Sequence, residues 1–524
     1  MSGRFIMQGF QAAQELVRQT FEEHQLTHAV LIVLMATAIA VSLKKAIGNA
    51  LLSPLRGIPG PWLAGATSWY EFYYDVIQGG TYAKQFAQMH RRYNSPLVRI
   101  SPNHIHVADP QFYHEMFAMG AAGYRFRKPK YFYNSMGISS AIGSHYDNNV
   151  HQRHRSAMSV GFSIRSLQAF NLVILRHARD AMDIIASGVD GQPVILSHPA
   201  RAYTIDIVAE IAFGRPLGVL RERGPTPPTI LAMDDFPSQF AFIKHFPSWS
   251  LVLAVLPTWL SEWMNPGYHY IRKKGYQAVT DLVETRAREG RSNEEYQDGT
   301  GFIFECLLCP SPKKEYTPPG IEGLVDEACS FLVGGSDTTG FTLQAVVFLV
   351  LSHEEVKQRL RQELEEAATF IRHEFDMLQV SKLPWLSSVI RETMRLYPPT
   401  PGPLPREVPP EGIRIGNHFL PGGTVVSSTL LSLHRHPDIF PQPDRFMPER
   451  WLGEGAAQLT QWWNPFGRGP SVAWHELVTF TALLFLRFDL ELFETDESNL
   501  IWKEKLFTHF RAPIQVKVVA DRWA

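Results

Sequence analysis

Gly334-Gly335-Ser336-Asp337-Thr338-Thr339 sits at the centre of a run from Ile321 to about Leu351. Within that run Ile321, Leu324, Val325, Ala328 and Leu332 recur at three- and four-residue steps, as an apolar helix face requires. At ~1.5 Å per residue such a helix is roughly 45 Å long, enough to cross a whole domain. Thr317-Pro318-Pro319 precedes it, and Ser352-x-x-Glu355 reads as a capping box for the next helix. Two glycines and four small polar residues are poor helix formers, each Gly costing on the order of 1 kcal/mol against Ala. A conflict of this kind in mid-helix marks either a functional site or a close helix–helix contact. A glycine pair lets a backbone open or a ligand approach, and a Thr hydroxyl can bridge a loosened carbonyl.

Outward from that run, helix signals dominate residues 150 to 395, while Leu97-Val98-Arg99-Ile100 and His104-Ile105-His106-Val107 read as short strands. After Arg395 the texture changes. Tyr397-Pro398-Pro399-Thr400-Pro401-Gly402-Pro403 cannot be helix, and Val408 to Val426 reads as short strands with turns. A last helix is expected from near Ala473 to Arg487, then a strand-like tail from Pro513 to Val519. The fold class is mainly α with small β-sheets, in one globular domain (69–524) without internal repeats.

Four further constellations carry possible chemistry. Glu392-x-x-Arg395 places both residues on one helix face, where they can pair. Phe446-x-Pro448-Glu449-Arg450-Trp451 offers an arginine on irregular chain that can fold back on that pair. His151-x-x-His154-Arg155 opens a helix. Pro465-Phe466-Gly467-Arg468-Gly469 is a Gly-rich turn before the last helix, and it lacks the preceding strand and Gly-Lys-Ser/Thr of a phosphate-binding loop. Taken singly, each is commonly a surface salt bridge, loop or turn.

Composition narrows the classes. The 524 residues are 45% hydrophobic, with 50 basic against 51 acidic side chains, so the chain is not disordered and has no charge excess for nucleic acid. The three cysteines, Cys306, Cys309 and Cys329, exclude a disulfide scaffold. Cys306-x-x-Cys309 has no second half-site for zinc and reads as two buried thiols. Leu26 to Leu43 holds no Asp, Glu, Lys or Arg and follows 25 mostly polar residues (1–25), which favours an uncleaved transmembrane anchor (26–43) over a signal peptide. Residues 44–68 form a basic, proline-rich hinge. Lys44, Lys45 and Arg56 against Arg4 and Arg18 place the body on the cytosolic side of a single-pass span.

In this order and spacing the motifs resemble the cytochrome P450 family over essentially the whole chain, with wording near Trp69 to Asp75 and Arg99 to Asn103 similar to fungal trichodiene-oxygenase-like members. The resemblance implies that Gly334, Gly335, Asp337 and Thr338 form the oxygen-binding stretch, with Asp337 and Thr338 catalytic. It implies that Glu392, Arg395 and Arg450 are a structural triad. Arg155 and Arg406 would face the propionates of haem b, with His151 where Trp is common. Phe466, Gly467 and Arg468 would begin the haem-binding loop, which in the family reads Phe-x-x-Gly-x-Arg-x-Cys-x-Gly-x-x-Leu-Ala-x-x-Glu.

Here Phe466 to Ser471 matches the start of that loop and Val472 to Glu476 its end, so six residues are missing between Ser471 and Val472. They include the axial cysteine whose thiolate binds iron and donates electron density for O–O cleavage. Three readings stay open: loss of six residues at a mis-assigned exon boundary, a true inactivating deletion, or ligation by His475. The expected function is a haem-dependent monooxygenase that oxidises an apolar secondary metabolite, terpenoid or polyketide-like, in a fungal pathway. Its partners would be O2, NADPH–cytochrome P450 reductase and the endoplasmic reticulum membrane. The rival is an inactive, haem-free binding scaffold of the same fold. The segments expected to line the pocket are Tyr131 to His145, Phe240 to Phe246 and Thr400 to Leu404.

Overall fold

Residues Ile321–Ser352 form one unbroken α-helix, the longest in the computed structural model, which describes residues 28, 30–118, 125–189, 191–222, 226–290, 302–309, 316–372, 375–466 and 472–524. The glycine pair does not open it. Hydroxyls close the ladder instead: Thr338 Oγ1 donates to the Gly334 carbonyl at 2.9 Å and Thr342 Oγ1 to that of Thr338 at 2.9 Å. The two glycines serve different neighbours. A Cβ on Gly335 would stand 2.8 Å from Val208 of the helix Ser197–Phe213, so close helix contact requires its absence; around Gly334 there is open space. The capping-box expectation is corrected. Ser352 is the last residue of the long helix, and the next helix, Glu354–Glu366, starts after His353 with no side-chain cap. Glu354 and Glu355 in its first turn complement the positive helix end instead.

Helices Ser197–Phe213, Pro266–Arg288 and Val472–Arg487 pack around the long helix and share one apolar core with Ile164–Ala186 and Pro384–Leu396. Each fully buried Leu, Ile or Phe there contributes roughly 1.5–3 kcal/mol. The strands are short. A four-stranded sheet takes Leu97–Ser101, His104–Val107, Val425–Ser427 and Arg406–Glu407 in that order, with His104–Val107 parallel to Val425–Ser427. A three-stranded sheet joins Val194–Ile195, Gln515–Asp521 and Phe488–Leu492, and two hairpins pair Ile413–Ile415 with His418–Leu420 and Trp502–Lys505 with Phe507–Phe510.

Near the N-terminus the helix Val30–Leu52, mean hydropathy 2.1, is long and apolar enough to cross a membrane, and none of it is buried in the body. The proline-rich stretch after it docks on the body: Leu55 and Ile58 are buried, and Arg99 N–H donates to the Pro59 carbonyl at 2.8 Å.

Candidate active site

A cavity of about 570 Å³ lies beside the centre of the long helix, which lends it Ser330, Val333 and Gly334. One end is cationic. Lys128, His151, Arg155 and Arg406 converge there from an irregular segment, the helix Asn148–Met158 and the edge strand Arg406–Glu407. Arg406 is steered by bonds to the Tyr133 hydroxyl and, at 2.9 Å, to the Pro405 carbonyl. The crowding of like charge is legible in the titrating groups. His151 is pushed down to about 3 by burial and by Lys128, Arg155 and Arg406; Lys128 is pushed down to about 7 by burial and by Arg406. Apolar side chains line the same cavity, among them Phe236, Val333, Leu404 and Leu506.

Of the segments expected to line it, Tyr131 to His145 supplies Tyr133, Met136 and Gly143, and Thr400 to Leu404 supplies Thr400, Gly402 and Leu404. Phe240 to Phe246 goes elsewhere: Phe240 and Ile243 line an adjoining cavity of about 370 Å³ that shares Met136, Phe236 and Leu506 with the first.

Glu392, Arg395 and Arg450 meet in a buried cluster. The Glu392 carboxylate, with no exposure, accepts from Arg395 Nε and Nη2 at 2.9 Å each and from Arg450 Nε at 2.9 Å. Two further donors escaped the sequence reading, the Met447 N–H at 3.0 Å and the Trp451 indole at 2.9 Å. Arg395 Nη1 then reaches the carbonyls of His434 (2.8 Å) and Pro443 (2.6 Å), binding irregular chain that has no ladder of its own. His434 Nε2 in turn accepts from Asn464 N–H at 3.3 Å, which places Asn464 and Pro465 at the cavity wall.

Gly334 lines the cavity; Gly335, Asp337 and Thr338 are not among its lining residues. Asp337 turns to a different neighbour. Its Oδ1 pairs with Arg201 Nη2 at 2.7 Å, and Arg201 Nη1 also holds Asp234 at 2.8 Å. Asp337 Oδ2 is buried without a partner and borders a polar cavity of about 280 Å³ shared with His198, Arg201, Asp234 and His509. Arg201 was invisible to motif reading, because a helix such as Ser197–Phe213, buried nearly all round, shows no polar face. Lys128 escaped because irregular chain has no period.

The cationic end fits the two carboxylates of a haem. Of the expected haem-binding loop, Gly467, Arg468 and Ser471 lie outside the described residues, and the three cysteines are buried and are not among the residues lining the cavity. Cys329 faces Gly275, and burial pushes its thiol up to about 12. His475 is on the helix Val472–Arg487 and is not among the lining residues; its Nδ1 is buried without a partner. Phe466 packs edge-on against Trp463 and Trp474.

The sequence profile of the cytochrome P450 family matches residues 59–518, and the chain belongs to that family. It is 50% identical to the cytochrome P450 monooxygenase opaB of Aspergillus ustus over 572 aligned positions, covering 99% of this chain and 98% of that one. It is 35% identical to the monooxygenase penB of Penicillium thymicola (83% of this chain, 98% of that one) and 36% identical to asqL of Emericella nidulans (80% and 87%). The fold matches a cytochrome P450 crystal structure, CYP102L1, with a TM-score of 0.67 at 17% identity, over 84% of this chain and 98% of that one. The class is therefore a haem-dependent monooxygenase.

Proposed function

We propose that this chain is the membrane-anchored body of a haem b monooxygenase that oxidises an apolar secondary metabolite, terpenoid or polyketide-like, in a fungal pathway. The observation that carries the reading is the 570 Å³ cavity beside the glycine of the long helix, lined by a cationic cluster and by apolar side chains. Bound haem with a thiolate ligand would supply oxygen activation, one atom of O2 going to the substrate and the other leaving as water with two protons and two electrons from the reductase. Arg155 and Arg406, with Lys128 in the same cavity wall, would hold and neutralise the propionates. Glu392, Arg395 and Arg450 hold the irregular chain that leads to the haem-binding loop. Gly334 leaves one face of the cavity clear. Asp337 and Thr338 are the residues that would relay protons to bound dioxygen; Asp337 Oδ2 borders the polar cavity, and the Thr338 hydroxyl rests on the Gly334 carbonyl, which it would have to leave to take part. The helix Val30–Leu52 anchors the chain in the endoplasmic reticulum membrane with the body in the cytosol, where NADPH–cytochrome P450 reductase supplies electrons.

The axial thiolate has to come from the six residues absent between Ser471 and Val472. The alignment with the Aspergillus ustus relative runs over more positions than this chain has residues, so that relative carries internal stretches this chain lacks. The haem-free scaffold gains no support, since these relatives are monooxygenases by description. Two measurements test the reading. Genomic sequence across Ser471–Val472 should encode a short Cys- and Gly-containing stretch. The chain with that stretch should give the thiolate-type band in the reduced, carbon-monoxide-bound spectrum, and the chain without it should not. A folded, stretch-containing chain that takes up no haem refutes the proposal.

A further inference from the structure

Residues 138–147 have neither helix nor strand, yet charged side chains from outside hold their backbone. Ser140 N–H donates to Asp326 Oδ2 at 3.1 Å and Ile142 N–H to Glu327 Oε2 at 2.7 Å. Lys128 Nζ donates to the carbonyls of Ile142 at 3.1 Å and Gly143 at 2.7 Å. Asp326 is itself fixed by Arg272 Nη1 at 2.6 Å. Both carboxylates belong to the long helix, one to two turns before the residues it lends to the cavity. Glu327 has no exposure, its Oε1 has no partner, and His154 Nε2 lies 3.5 Å from its Oε2. Ile138, Gly143 and Ser144 of the held segment line the cavity. Irregular chain is ordinarily satisfied by its own small polar residues or by water. Here one side of the Ile142 peptide is tied to the long helix and the other to a lysine at the cationic end.

We propose that Glu327 is the positioning residue that seats segment 138–145 as a wall of the cavity, with Asp326 and Lys128 completing the grip, and so sets the shape of substrate the cavity accepts. The assignment rests on reading the cavity as the substrate site. Glu327 acts through Ile142 and is not itself among the residues lining the cavity.

The geometry has a pH signature. Burial pushes the Glu327 carboxyl from its ordinary 4.5 to about 7, against the Ile142 N–H and with Asp326 adding to the rise. The seated segment therefore keeps a proton that the released segment loses, and seating weakens as pH rises from about 5 to 7. The other groups facing Glu327 are Lys128, His154, Tyr316 and, through Asp326, Arg272. Burial pushes His154 down to about 4 and Lys128 to about 7. His145, next to the segment, is also lowered by burial. Lys128 and Tyr316 feel the Glu327 charge, so any change in their titration in Glu327→Gln is part of what the ratio between the two chains reads.

The test is hydrogen exchange by mass spectrometry on the full chain in detergent, without haem or substrate, following peptides that span 138–145. Glu327→Leu leaves the Ile142 N–H without an acceptor and should lower protection at least about fivefold at both pH 5 and pH 7. The protection ratio of wild type to Glu327→Gln should fall about tenfold or more between pH 5 and pH 7. Glu327→Leu exchange within twofold of wild type, or a flat ratio, overturns the proposal. If Glu327→Leu fails to fold, the Glu327→Gln ratio decides alone. Because no haem or turnover enters the readout, failure here is distinct from failure of the monooxygenase reading.

Discussion

Truncating Glu392 should be the most damaging single change in the body. The carboxylate is fully buried and accepts five hydrogen bonds, two from Arg395 and one each from Arg450, Met447 N–H and the Trp451 indole. Arg395 has no side-chain exposure and Arg450 has 6%. Glu392→Ala therefore leaves two guanidinium charges in a dry site, and breaking a buried pair from one side costs about 3–5 kcal/mol. The orphaned indole and Met447 N–H add about 1–3 kcal/mol each, with overlap between the terms. A loss on the order of 5–8 kcal/mol is comparable to the whole stability of many domains, typically about 5–15 kcal/mol. Unfolding entropy of ~2.1 cal/mol/K per residue gives a body of this size ~1 kcal/mol per degree, so the midpoint should drop by about 5–8 °C. The assay is thermal unfolding in detergent at one fixed scan rate, read by circular dichroism and by protease resistance. Glu392→Gln, which keeps an acceptor oxygen, should fall about midway. A Glu392→Ala midpoint within 2 °C of wild type would refute the argument, because it would mean that the two guanidiniums reach water.

Three more outcomes follow from buried groups. Glu476 is fully buried with Oε2 unpartnered, and burial raises its carboxyl well above the ordinary range, so its stabilising proton is lost as pH rises. Glu476→Gln should gain stability over wild type between pH 5 and pH 8, seen as a widening midpoint difference. Arg201→Met leaves Asp337 unpaired in a site where its side chain is 4% exposed, at a cost of about 3–5 kcal/mol, and adding Asp337→Asn should recover at least half in denaturant melts. Gly335→Leu meets Val208 and should cost about 1–3 kcal/mol by overpacking, whereas Gly334→Ala faces open space and should leave folding stability unchanged within about 1 kcal/mol.

Helix existence and type were legible in the chain because they depend on local period. The run from Ile321, the last helix before Arg487 and the paired strands at Leu97 and His104 all follow from apolar spacing and from where Pro and Gly stop it. Motif order carried the family as well, and that no cysteine follows Cys329 is read from the sequence alone, since a count needs no coordinates. What the chain could not show is where a polar side chain points. Asp337 and Gly334 stand three residues apart on one helix, yet one serves a buried ion pair and the other a cavity, because the neighbours on each side differ. Ser352 has the spacing of a cap and ends a helix instead. Lys128, Arg201, Glu327 and Trp451 gained their partners only when segments far apart in sequence closed on one another. Such contacts are set by burial, where an unpaired charge or N–H is costly, and that cost exists only in the assembled core.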